Sequence, residues 1–156
     1  MGAPDPEKRR APPLTAIRGC PHDGLVFEVT SFQATQLERL RREHDIKLVI
    51  AFGSKVKGST HRFSDLDIGL LFDYGGPSLK CIEDLNNIFP SEEVDLAFLN
   101  RADPLFLGQI NSQCVLLSGS ERDFNAFRCY AFQRSVDFLP YLAMEKETNT
   151  RRLGTY

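Results

Sequence analysis

Apolar and polar positions alternate between two periods along the chain, and the change of period marks the elements. Lys47 to Phe52, apolar from Leu48 onward, predicts a buried strand ended by Gly53-Ser54. Ser64 to Phe72 predicts a second strand, closed by Tyr74-Gly75-Gly76-Pro77. Glu93 to Leu99 predicts a third, with Val94, Leu96 and Phe98 on one face and Asp95 on the other. Burying a carboxylate is costly unless a cation or donors meet it, so the setting of Asp95 among residues suited to burial implies a partner. Cys114 to Leu117 predicts a short strand, and Gly24 to Phe32 a strand or ordered lead-in.

Between these runs the period is helical. Ala34 to His44 places Leu37 and Leu40 on one face amid Glu38, Arg39, Arg41 and Arg42, with Ser31 or Thr35 near its start. Ser78 to Ile88 repeats Leu79, Ile82, Leu85 and Ile88 at three-residue steps, taken as one apolar face ended by Pro90. Asp103-Pro104 opens a helix over Leu105 to Ser112. Ser120 and Asp123 form a capping arrangement before a helix from Glu121 to about Leu139, with Phe124, Phe127, Ala131 and Phe138 inward and Pro140 kinking or ending it. Residues 1–30 read as an N-terminal extension, 31–147 as one domain and 148–156 as a mobile end.

Composition narrows the class. Of 156 residues, 42% are hydrophobic and 26% charged, as in ordinary globular proteins, and the net charge of -2 argues against a duplex nucleic-acid binder. No apolar stretch is long enough to span a membrane and no apolar signal segment opens the chain, so a cytoplasmic location is expected. Cys20, Cys81, Cys114 and Cys129 are unpaired in spacing and read as reduced, partly buried thiols.

The chemistry gathers between Leu48 and Asp73, LVIAFGSKVKGSTHRFSDLDIGLLFD. A glycine lets backbone N–H groups approach phosphate, and the Ser54 hydroxyl adds a donor. The connection that follows is basic and hydroxyl-rich, with Lys55, Lys57, Ser59, Thr60, His61 and Arg62. On a strand Asp65 and Asp67 project together, roughly 6 to 7 Å apart at Cα, while Leu66 and Ile68 face away. With Asp95 on a neighbouring strand, these hard oxygen donors suit Mg²⁺, two ions of which stabilise the attacking and leaving oxygens at phosphorus.

Gly53-Ser54, ten intervening residues, then Asp65-Leu66-Asp67 resembles the signature of the minimal nucleotidyltransferases, a branch of the DNA polymerase β superfamily. The later VDLAFL, CVLLSG and DFLPYL segments also resemble that family, so the likeness covers roughly Ala34 to Tyr141. Val56 and Lys57 depart from its commoner GSXARG form, and lysine keeps the charge of arginine without its bidentate fork. The resemblance implies a polymerase-β-like α/β (α+β) fold, with a mixed sheet packed against helices on one side. It implies that Gly53, Ser54 and Lys57 hold the triphosphate of ATP. Asp65 and Asp67 would ligate two Mg²⁺ ions, and Asp95 would ligate the catalytic ion and help deprotonate the acceptor. Many members are antitoxins of the MntA type, paired with a HEPN ribonuclease toxin that they silence by transferring AMP to a toxin tyrosine. The expected partner is such a toxin. The competing readings are a small-molecule nucleotidyltransferase of the aminoglycoside type and an antitoxin that acts by binding alone.

Overall fold

The structure, a computed structural model, describes residues 14–18, 26–57 and 65–153. In chain order the elements are β1 (Leu14–Arg18), β2 (Val26–Thr30), α1 (Ser31–Glu43), β3 (Ile46–Phe52), β4 (Leu66–Phe72), α2 (Leu79–Ile88), β5 (Val94–Phe98), a 3-10 turn (Leu99–Arg101), α3 (Pro104–Asn111), β6 (Val115–Ser118) and α4 (Glu121–Leu153). Local chemistry fixes the helix starts. Thr30 caps α1 in a capping box, its hydroxyl accepting from Gln33 N while the Gln33 side chain accepts from Thr30 N. Ser78 caps α2, Asp103 caps α3 ahead of Pro104, and the Ser120 hydroxyl accepts from Asp123 N at the start of α4.

Four strands make a mixed sheet in the order β5-β4-β3-β6. β4 runs antiparallel to β3 and parallel to β5, with α2 forming the crossover, and β3 runs antiparallel to β6. β1 and β2 pair separately as an antiparallel ribbon. Asn100 extends the edge of β4: its side-chain amide accepts from Phe72 N at 2.9 Å and donates to Phe72 O at 2.8 Å.

Helices cover both faces of the sheet, which corrects the expectation of one covered side. On one face Ile46, Val49 and Ala51 of β3 and Leu66, Ile68 and Leu70 of β4 pack with Leu37 and Leu40 of α1 and Cys81 and Leu85 of α2. On the other, Leu48, Ile50 and Phe52 pack with Leu107 and Ile110 of α3 and Phe124, Phe127 and Ala131 of α4. The reason is visible in β3, whose apolar run from Leu48 to Phe52 leaves no polar face for water. Gly108 brings α3 against α4, since a Cβ there would lie 2.6 Å from Ser135 Cβ.

Four further details differ from the sequence reading. The inward face of α2 is Cys81 and Leu85 rather than one headed by Leu79, which is 80% exposed. Steps of three fall short of the 3.6-residue turn, so the row Leu79-Ile82-Leu85-Ile88 winds round the helix. Pro140 does not end α4, which continues to Leu153 and takes in most of the expected mobile end. Pro140 is exposed, so water can serve the carbonyl its missing N–H leaves unpaired. Phe138 is only half-buried and stacks on Tyr141 with ring centroids 6.1 Å apart. Leu14–Arg18, read as part of a loose extension, forms β1. Residues 1–13, with the expected tail, lie outside the described residues, as does Cys20. Cys81 and Cys114 are buried free thiols and Cys129 an exposed one, as the spacing implied. Among the described residues no helix is long and apolar enough to cross a membrane.

Candidate active site

β3 delivers its last residue, Phe52, opposite Asp67 near the start of β4, and the parallel register of β4 with β5 sets Asp67 beside Asp95. Three strand ends therefore meet at one place. Alternation then chooses the face. Leu66, Ile68 and Leu70 enter the α1–α2 core, so Asp67 points to the α3–α4 side, where Ala97, two residues after Asp95, also packs.

Gly53 leaves β3 directly beneath Asp67. Its φ of +83° lies in the left-handed region, and a Cβ would overlap Asp67 Oδ2 and lie 2.9 Å from Asp67 Cγ. Glycine is thus required twice, by backbone conformation and by the carboxylate. Ser54 to Lys57 form a turn closed by Lys57 N donating to Gly53 O at 3.3 Å. Val56, one of the departures from the family form, is fully buried in the core cluster of α1 and α2 and pins this turn to the sheet. Lys57 is exposed at the turn's end, whereas Lys55 forms an ion pair with Glu92. Ser59, Thr60, His61 and Arg62 lie outside the described residues.

The carboxylates are in unequal environments. Burial pushes the Asp67 carboxyl above the usual aspartate range, and the charges of Asp95 and then Asp65 push it further, against a small opposing pull from Lys55. Asp65 stands one residue before β4 and is exposed. Asp95 is exposed too, because β5 is the edge strand, so it is not the buried carboxylate its sequence setting implied, yet it does stand beside Asp67. Among the described residues no cation forms an ion pair with Asp65, Asp67 or Asp95. A hard divalent cation fits such a donor set, since it would relieve a repulsion on Asp67 that the distant charge of Lys55 only slightly offsets.

The sequence reading passed over two clusters. Glu43, His44 and Asp84 bring their ligand atoms within 4.8 Å of one another at the α1–α2 junction, a closer gathering than that of the three aspartates. There His44 Nε2 lies 3.0 Å from Asp84 Oδ2, and Glu43 also pairs with Arg39 at 2.6 Å. The second cluster borders Asp67: a cavity of about 190 Å³ is lined by Gly53, Lys57 and Asp67 together with Phe106, Gln109 and Gln113. These last three are more than 40 residues from the Gly-Ser turn, and no local pattern marks them.

No curated protein matches the chain. Solved structures of similar fold include a chain of a toxin-antitoxin with AMP-PNP, which is 23% identical with a TM-score of 0.57, the match covering 78% of this chain and 98% of that one. A chain of the toxin-antitoxin MntA-HepT is 18% identical with a TM-score of 0.54, covering 81% of this chain and 100% of that one. A chain of the tri-AMPylated Shewanella oneidensis HEPN toxin in complex with MNT antitoxin is 19% identical with a TM-score of 0.53, covering 80% and 98%. At these identities the likeness shows a shared fold. Residues 36–123, which include the whole Gly53-to-Asp95 constellation and more than half of the chain, match the family described as polymerase beta, nucleotidyltransferase. The chain belongs to that polymerase β nucleotidyltransferase family.

Proposed function

We propose that this protein is an antitoxin that transfers AMP from ATP to a tyrosine of a cognate HEPN ribonuclease toxin. The observation that carries the reading is the pairing of Asp67 with Asp95 across β4 and β5, directly over Gly53. Similarity in fold to chains from a toxin-antitoxin with AMP-PNP and from a complex with a tri-AMPylated HEPN toxin supports both nucleotide and acceptor.

In the proposed reaction the tyrosine oxygen attacks the α-phosphorus of ATP, a new P–O bond forms, and the bond to the β-phosphate oxygen breaks to release pyrophosphate. Mg²⁺, when bound, would supply charge stabilisation at the attacking and leaving oxygens. Asp65, Asp67 and Asp95 would hold it. Asp95, the exposed member on the edge strand, would take the tyrosine proton. The Gly53-Ser54 turn and Lys57 would orient the triphosphate, Gly53 by exposing backbone and Lys57 by charge. Positioning and electrostatics thus carry the catalysis.

Incubation with labelled ATP, Mg²⁺ and the product of the adjacent gene tests this directly. Label on the toxin that disappears with Asp65→Ala/Asp67→Ala is expected. Neutralisation that survives those substitutions, with no label transferred, would sink the catalytic reading and leave a binding antitoxin.

A further inference from the structure

We propose that the cavity beside Asp67 is a nucleobase subsite, in which Gln109 and Gln113 read the edge of an adenine against an aromatic wall of Phe52 and Phe106. The inference rests on the reading of the chain as an ATP-using transferase and adds how it selects its nucleotide.

Three observations carry it. The cavity shares Gly53, Lys57 and Asp67 with the candidate active site, so one ligand can occupy both. At about 190 Å³ it falls below the roughly 300 Å³ where pockets for whole drug-sized ligands begin, and so suits a single ring system. The rest of its lining suits a base: Phe52 and Phe106 meet edge to face with centroids 5.6 Å apart, Ile110 adds apolar surface, and the polar groups contributed beyond Gly53, Lys57 and Asp67 are the two glutamine amides. Phosphate would call for clustered cations or bare backbone, which Gly53 and Lys57 can supply and Phe106, Gln109 and Gln113 cannot.

The amides are set for recognition. Gln113 follows Gln109 by four residues, and its backbone N donates to Ile110 O at 2.9 Å, which carries the last turn of α3 onward. Neither side-chain amide is hydrogen-bonded to another described residue. A glutamine amide offers one donor and one acceptor side by side, the complement of adenine N7 and the N6 amino group. Guanine presents O6 in place of that amino group and would set an acceptor against the amide oxygen.

Calorimetric titration of the full-length protein with Mg²⁺-ATP, Mg²⁺-GTP and Mg²⁺-tripolyphosphate tests the subsite. The native protein should prefer ATP over GTP by about tenfold. Gln109→Leu/Gln113→Leu should lose that preference with tripolyphosphate affinity unchanged, and Phe106→Leu should weaken ATP and GTP alike. Gln109 is exposed, so Gln109→Leu alone, with a partial loss expected, carries the test if the double variant does not fold. A preference for ATP that survives the glutamine substitutions, or a loss of tripolyphosphate binding with them, overturns the subsite while Asp67-dependent ATP binding keeps the transferase reading intact. A native protein that binds neither ATP nor tripolyphosphate overturns both.

Discussion

Two carboxylates on opposite faces of the same sheet are treated in opposite ways. Glu38, on α1, accepts from Arg41 Nε and Nη2 at 2.9 and 2.7 Å, from Arg42 Nε at 3.0 Å and from the Ser118 hydroxyl at 2.8 Å. The hydrogen bonds from Arg41 foremost hold its carboxyl down to about 2, although partial burial pulls the other way. Asp67, on the face of α3, receives burial and the repulsion of Asp95 and Asp65 instead, and its carboxyl is pushed up. An acid that serves the fold is given its cations by the chain. An acid left without an ion-pair partner, half-buried and beside two others is configured for something that arrives from outside.

Asp67→Asn is the most direct way to break this contrast. Folding disfavours the ionised form of a carboxyl whose pKa it raises, so at neutral pH Asp67 costs stability that is regained as pH falls through the raised value. Removing the charge should leave the urea unfolding midpoint unchanged or higher. Label transfer to the toxin should meanwhile fall by about a thousandfold, the scale of several kcal/mol of charge stabilisation lost. A destabilised Asn variant would place Asp67 with Glu38 as a structural acid. Gly53→Ala should move both quantities downward. The positive φ alone costs on the order of 1–3 kcal/mol, read by urea unfolding, and the added methyl displaces the Asp67 carboxylate and with it the transfer activity.

This division of labour was legible in the sequence on one side only. Gly53-Ser54 and Asp65-Leu66-Asp67 stand close in the chain, and a glycine turn with carboxylates at strand spacing constrains chemistry locally. The run IKLVIAF likewise announced a buried strand, and the lack of any polar face from Leu48 onward foretold the second helical layer that was not expected from the sequence. The distant groups were less accessible. Phe106, Gln109 and Gln113 join the site because α3 packs over the end of β3, a contact set by Leu107 and Ile110 against Phe52. Leu79 misled because a three-residue step was taken for a helical face. Pro140 misled because a proline stops a helix firmly only where its freed carbonyl cannot reach water.

The Glu38 side of the comparison is sharpened by acid. A carboxyl whose pKa is depressed by folding contributes stability that is fully present above its unfolded value of 4.5 and is lost as pH falls toward about 2. Thermal melts of the native protein should therefore drop across that window, and Glu38→Gln should remove this part of the drop. The side chain is 37% exposed, so 1 M salt should diminish the difference between the two proteins. A melt difference indifferent to both pH and salt would mean that Arg41 and Arg42 find equal partners elsewhere.

The smallest effect belongs to Lys55, where the two kinds of carboxylate meet. Its ammonium is committed to Glu92 by an ion pair, yet its charge also reaches Asp67 as the weakest of the influences on that carboxyl and one of the few that lower it. Lys55→Met keeps the length of the aliphatic stem and removes only the charge. Glu92, exposed two residues before β5, can turn to water, whereas Asp67 cannot escape Asp95 in register beside it. The Asp67 carboxyl should then titrate at a still higher pH, as followed by carbon NMR of the side-chain carboxyl, with Glu38 unmoved on the far face of the sheet. An Asp67 titration that stays in place would show the Lys55–Glu92 pair to be electrically self-contained, and the site's acids would then have no compensating charge among the described residues at all.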